Sequence, residues 1–132
     1  MQPFLDEMAL IALTVWAEAR GESFRGKVAV CEVIRNRTIY RYESDGTIPG
    51  TILHPLAFSC WNATDKQRVR MAKVSLEDPV VLECLEAWSK SKDTDYSKGA
   101  LHYLNPRYAK KPAKFGPRLA RIGHHDFHSP SA

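Results

Sequence analysis

In the stretch TVWAEARGES, residues 14–23, an apolar run ends by setting Glu18, Arg20, Glu22 and Ser23 around Gly21. Carboxyls so placed suit proton transfer. A carboxyl at the end of a buried helix, beside Trp16, has its charged form penalised by burial and by the negative end of the helix dipole, which raises its pKa. Glu18 is therefore the candidate general acid, a group able to hold a proton near neutral pH. On an exposed face the same side chain would do no more than pair with Arg20 or Arg25. Glu22 lies four residues further on, but Gly21 breaks the helix between them, so a shared face does not follow. Glu22 reads instead as a capping or hydrogen-bonding group.

The histidines offer a rival chemistry. His102, His124, His125 and His128 would bind zinc if three of them pointed inward together. Strand alternation, however, sends His124 and His125 to opposite faces. No metal and no other cofactor is expected. Cys31, Cys60 and Cys84 are odd in number and lack a CxxC or a Cys/His spacing suited to zinc. They read as free buried thiols, which fits synthesis in a reducing cytoplasm.

Elements must position these groups. From Phe4 to about Arg20 the apolar residues Leu5, Met8, Ala12, Val15, Trp16 and Ala19 recur at three- and four-residue steps, and Leu10, Ile11 and Leu13 fill other faces. The pattern is a helix buried on most sides, stopped by Gly21. Ser23 caps a second helix through GKVAVCEVIRNRTIY, whose Val28, Ala29, Val30, Cys31, Val33 and Ile34 again imply deep burial. SDGTIPG reads as a turn-rich loop, opening an irregular region that ends near Phe58 and Ser59. Asp65 to about Ser75 is a short amphipathic helix. Asp78 and Pro79 start a further one, with Val81, Cys84, Leu85 and Trp88 on one stripe. ALHYLN and LARIGHHDFH alternate as the two strands of a β-hairpin, joined by the Pro- and Lys-rich connector NPRYAKKPAKFGPR. The fold class is mainly α (α+β), a helical core with a small C-terminal β-hairpin. No repeat or linker divides residues 1–132, and 44% hydrophobic content is enough for one core.

No apolar run reaches the roughly 20 residues of a membrane span. MALIALTVWA from Met8 has the length of a signal core, but the segment before it, MQPFLDE, is acidic where a signal needs positive charge. No membrane insertion and no signal peptide are expected. The formal charge of +4 comes largely from Arg107, Lys110, Lys111, Lys114, Arg118 and Arg121. Such a cluster attracts a polyanion, either nucleic acid or an anionic bacterial envelope. A nonenzymatic nucleic-acid-binding module is thus the alternative outside enzymes, but no helix-turn-helix, RRM or zinc-finger signature supports it.

The run WAEARGESFRGKVAVCEVIRNR, followed in order by HPLAFSCW at 54–61, GALHYLNP at 99–106 and RIGHHDFH at 121–128, resembles the SleB-type, spore-cortex-lytic cell-wall hydrolases over nearly the whole chain. The resemblance implies a lysozyme-like catalytic domain that cuts peptidoglycan glycan strands between MurNAc and GlcNAc. It makes Glu18 the catalytic acid. It also implies a lytic transglycosylase, in which one Glu suffices and the sugar's own 6-hydroxyl closes a 1,6-anhydro ring. The alternative is a muramidase with the same Glu18. That enzyme needs a second carboxylate, as nucleophile at ~5 Å or as base for a water at ~6.5–9.5 Å. In sequence only Glu22 and Glu32 lie near, and nothing fixes either as the partner.

By the same resemblance Phe58 and Ser59 match an FS step that lines the sugar cleft, and Tyr103 and Asn105 a Y-x-N step that orients the N-acetyl group or the acid. Packing or turn roles remain open for each of the four. Glu22 is carried with them as substrate-binding. Asn36 and Arg37 read as a buried polar network, and His125 falls on an IGxH position that carries no metal. Cys31, His124, Asp126, His128 and the Lys-rich connector depart from the family pattern. The expectation is a monomeric phage or prophage lysin, made in the bacterial cytoplasm and acting at the cell wall after release.

Overall fold

The computed structural model describes residues 3–62 and 65–132, and side chains from residue 7 onward within them, so the places given to Phe4 and Leu5 on the apolar stripe fall outside the described residues. Five helices, α1 (Pro3–Ala19), α2 (Phe24–Tyr40), α3 (Ile48–Ile52), α4 (Lys66–Met71) and α5 (Pro79–Ser91), precede three strands, β1 (His102–Leu104), β2 (Phe115–Ile122) and β3 (His125–Pro130). A single 3₁₀ turn, Ser59–Trp61, lies between α3 and α4.

Local chemistry sets the helix ends. Ser23 Oγ accepts from the Gly26 N–H at 3.2 Å and so caps α2, while Asp78 accepts from Val80 N–H at 2.8 Å and, with Pro79, starts α5. The turn-rich loop conceals α3. Thr47 Oγ1 caps it through the Gly50 N–H at 3.0 Å, and Pro49 sits in the first turn, so residues that read as breakers are placed where a helix tolerates them.

Helix α2 runs through the middle of the core, against α1 and α5, with Val28, Val30, Val33 and Ile34 fully buried. Burial on all sides forces its polar residues to find partners. Lys27 Nζ donates to the Glu22 carbonyl at 2.5 Å and pairs with Glu83 at 3.1 Å. Glu32 accepts from Thr94 Oγ1 at 2.5 Å, Tyr96 N–H at 3.0 Å and Ser97 N–H at 2.8 Å. Asn36 donates to the Ala100 carbonyl at 3.0 Å, and Arg37 Nε to the Leu101 carbonyl at 2.7 Å. The buried network expected of Asn36 and Arg37 therefore ties segment 94–101 to α2. That segment leads into β1, so the network fixes where Tyr103 stands.

The expected two-stranded hairpin is a three-stranded antiparallel sheet, in the order β1-β3-β2. LARIGHHDFH alternates as one strand would, yet it folds back on itself at Gly123–His124. Gly123 has φ +58°, and a Cβ there would stand 2.3 Å from Glu22 Oε1, so both conformation and space demand glycine. HYL pairs on the other side of β3, with Tyr103 opposite Phe127. Cys31, Cys60 and Cys84 are buried free thiols. Among the described residues no helix is long and apolar enough to cross a membrane.

Candidate active site

A cleft of about 660 Å³ opens where α1, the 3₁₀ turn, the head of α4, β1 and β3 meet. Ala17 and Glu18 enter from α1, Ser59 from the 3₁₀ turn, and Asp65, Lys66 and Gln67 from the head of α4. Tyr103, Leu104, Asn105, Tyr108 and Ala109 form the wall made by β1 and the turn after it, and His125 enters from β3.

Glu18 stands in the last turn of α1, half-buried and on the cleft wall, with one oxygen held by Tyr103. The Tyr103 hydroxyl donates to Glu18 Oε1. Burial pushes the Glu18 carboxyl above the usual 4.5. The Tyr103 hydrogen bond and the charge of Arg37 pull it back, and the charge of Asp65 pushes it up again, leaving it raised. Burial, with Glu18 beside it, pushes the Tyr103 phenol well above its ordinary 10, so Tyr103 keeps its proton and stays a donor. Its ring packs edge-on against His125 at 5.1 Å and lies 5.9 Å from Phe127, which leaves the hydroxyl little freedom.

Arg37 supports this pair from below. It is 5% exposed, and its guanidinium lies 5.3 Å from the centre of the Phe58 ring. Its Nη2 donates to His102 Nδ1 at 3.4 Å, so that nitrogen is the acceptor and Nε2–H faces the Tyr42 oxygen at 2.7 Å. Burial and the neighbouring Arg37 charge drive the His102 pKa down to about 4, keeping the ring neutral.

Ser59 and Asn105 border the cleft beside Glu18 and Tyr103. Asn105 Oδ1 accepts from the Arg107 N–H at 3.0 Å and its carbonyl from the Tyr108 N–H at 3.0 Å, a turn that swings Tyr108 onto the rim. Phe58 is different. At 3% exposure it belongs to the core and has no free face on which a sugar could stack, so its place is packing beneath Arg37. Glu22 is also outside the cleft lining. Its carboxylate accepts from the His124 backbone N–H at 2.9 Å and from His124 Nδ1 at 2.8 Å, which straps the α1–α2 corner to the β2–β3 turn. Burial would raise its pKa, but the two His124 bonds and the nearby histidine charge hold it below 4.5. Glu32 is consumed by the 94–97 loop, so neither acid near in sequence partners Glu18.

The histidines do not converge. His102 stacks on Phe115 at 4.3 Å in the core, His128 Nδ1 donates to the Gly116 carbonyl at 2.9 Å, His124 sits on the turn, and His125 alone reaches the cleft. Among the described residues no group of three His, Cys, Asp or Glu side chains is placed to hold a metal ion. Sequence reading missed Asp65, Gln67 and Tyr108 as cleft residues. Asp65 read only as the start of a short amphipathic helix, and a helix start carries no sign of which cavity it borders.

Comparison with known proteins sets the class. The Cell Wall Hydrolase family matches residues 21–128, and the chain belongs to that family. The spore cortex-lytic enzyme of Bacillus subtilis is 34% identical over 123 residues, covering 92% of this chain and 37% of that protein. The spore cortex-lytic enzyme of Bacillus cereus is 31% identical over 123 residues, covering 92% of this chain and 44% of that protein. The chain thus spans less than half the length of these relatives. The catalytic domain of the germination-specific lytic transglycosylase SleB from Bacillus anthracis superposes with a TM-score of 0.72 at 27% identity, covering 94% of each chain. The catalytic domain of the Bacillus cereus SleB protein gives 0.71 at 28% identity, over 95% of this chain and 91% of that one. The architecture is the lysozyme-like fold shared with these two catalytic domains.

Proposed function

We propose that this chain is a peptidoglycan-cleaving lytic transglycosylase in which Glu18 acts first as acid and then as base. The observation that carries the reading is a half-buried carboxyl, kept above its usual pKa by burial and aimed by a tyrosine hydroxyl, in a cleft large enough for sugar rings. Its likeness to the catalytic domain of the Bacillus anthracis germination-specific lytic transglycosylase supports the same chemistry.

In this reading protonated Glu18 gives its proton to the glycosidic oxygen, and the C1–O bond breaks with its electrons going to that oxygen. The sugar left behind carries an oxocarbenium-like positive charge. The Glu18 carboxylate then takes the proton of the same sugar's 6-hydroxyl while O6 bonds to C1, which closes the anhydro ring and restores the acid. Tyr103 holds the carboxyl through both halves, and its hydrogen bond strengthens as Glu18 becomes charged. Ser59, Asn105 and Tyr108 offer hydroxyl, amide and aromatic contacts along the cleft for the flanking sugars.

A second reading, hydrolysis by a muramidase, gains from one observation: a second carboxylate, Asp65, borders the same cleft. The two differ in what ends they leave. The test of the shared part is Glu18→Gln, which keeps the side chain's shape and removes the proton. Loss of peptidoglycan cleavage by a folded Glu18→Gln protein is the expected result, and undiminished cleavage would sink both readings.

A further inference from the structure

Asp65 does two things at the head of α4. Its Oδ1 accepts from the Gln67 N–H at 2.7 Å, which caps the helix and fixes the carboxylate in space. It also borders the cleft with Glu18, Tyr103 and His125. Capping does not require a charge, because Asn and Ser cap about as well as Asp. Yet the charge stands without an ion-pair partner among the described residues, although Lys66 is its chain neighbour and borders the same cleft.

The charged and titratable groups around Glu18 come from every neighbouring element: Tyr103 from β1, Arg37 from α2, Cys60 from the 3₁₀ turn, His125 from β3, and Asp65 and Lys66 from the head of α4. Among these, Asp65 is the second acid. Tyr103 and Cys60 are held protonated by burial, with the Cys60 thiol pushed up to about 12. Two carboxylates on one cleft resist being charged together, so an ionised Asp65 favours the protonated form of Glu18. The same fixed anion favours any positive charge that develops between the walls.

Resting on the transglycosylase reading above, we propose that Asp65 is the anion that stabilises the oxocarbenium-like sugar formed as Glu18 gives up its proton. It forms no bond and moves no proton. When the C1–O electrons leave with the glycosidic oxygen, the sugar is one unit more positive, and the unpaired Asp65 charge offsets that until O6 closes the ring. A cap anchored by a backbone N–H suits this task, since its carboxylate need not reorganise as the charge appears.

The experiment compares the wild-type chain with Asp65→Asn and Asp65→Ser on purified peptidoglycan, measuring kcat, KM, the pH profile and the mass of the released ends. Both substitutions keep a cap, so thermal unfolding should stay close to wild type. The expected result is a kcat lowered on the order of 10²-fold, KM little changed, and an alkaline limb moved to lower pH, because Glu18 then loses its proton more easily. Anhydro ends should persist in what product remains. Folded variants with wild-type kcat and pH profile would reduce Asp65 to a cap and overturn the proposal. So would a rise in KM alone, which marks a contact to a neutral sugar, or reducing ends from the wild type, which would make Asp65 a base for water. If the wild type releases no glycan fragments, or Glu18→Gln is as active, the underlying reading fails first and takes this role with it.

Discussion

Removing one hydroxyl, by Tyr103→Phe, tests how Glu18 is set for its work. The phenol donates to Glu18 Oε1 and is the largest influence opposing the rise that burial imposes on that carboxyl. A hydrogen bond to a charged group contributes roughly 1.5–3 kcal/mol, against about 1 for one to a neutral group. The difference, about 0.5–2 kcal/mol, is what the bond contributes to ionisation, and one pKa unit corresponds to about 1.4 kcal/mol. Glu18 is only half-buried, so solvent screens part of this, and the expected shift is about one unit upward. The sign follows from the donor: without it the ionised form loses more than the protonated form, so the proton is held to higher pH. The assay is the pH profile of kcat/KM for peptidoglycan cleavage, which reports the free enzyme's acid. Its alkaline limb should move up by about one unit in a protein that still melts cooperatively. A limb that stays in place or moves down would refute the account of Tyr103 as the group that tunes Glu18.

Glu18→Gln should lower the cleavage rate on the order of 10²–10⁴-fold while circular dichroism and the melting curve stay near wild type. Glu22→Gln should instead lower stability by roughly 1–3 kcal/mol, since it weakens the strap to His124, and leave kcat close to wild type below the new melting temperature; a kcat loss matching that of Glu18→Gln would put Glu22 in the chemistry. His102 is neutral in the fold down to about 4, whereas the unfolded chain takes its proton near 6.5, so the unfolded state binds more protons between those values and stability falls as pH drops through that window. Urea unfolding should show that fall in the wild type and a flatter profile in His102→Gln. Lys110 and Lys111 are exposed on the connector, while Lys114 pairs with Glu43 at 3.2 Å and Arg118 lies 3.7 Å from Asp126. Replacing Lys110 and Lys111 by Ser should therefore slow lysis of intact sacculi at low salt, converge with wild type near the physiological Debye length of about 8 Å, and leave a short soluble glycan unaffected.

The place of Glu18 at the end of a buried helix was legible because its two determinants are local. A helix end and a buried apolar stripe are both written within residues 8–21. The helical core was legible for the same reason, since Val28, Val30, Val33 and Ile34 announce all-round burial in a single segment. What escaped was set by contacts across the chain. The cleft draws residues from five elements, so Asp65 read only as the start of a short helix and His125 as one of a rival metal-binding cluster until the fold placed both on the cleft that Tyr103 lines. For Phe58 both cleft and packing roles stayed open in the sequence, because a motif step gives residue type and order but not the direction of a ring, and here the ring lies in the core. The β2–β3 turn hid inside an alternating stretch because Gly123 interrupts no apolar position; its close approach to Glu22, more than a hundred positions upstream counted by neighbours His124 and Glu22 at a separation of 102 residues, is what makes the glycine necessary.

The central claim is that a single proton-carrying glutamate cuts the glycan strand by closing the sugar on itself. Mass spectrometry of the fragments released from purified peptidoglycan tests it most directly, because the anhydro end is one water lighter than the hydrolysed end. The account predicts 1,6-anhydro-MurNAc ends from the wild-type chain. Reducing MurNAc ends in their place would contradict it.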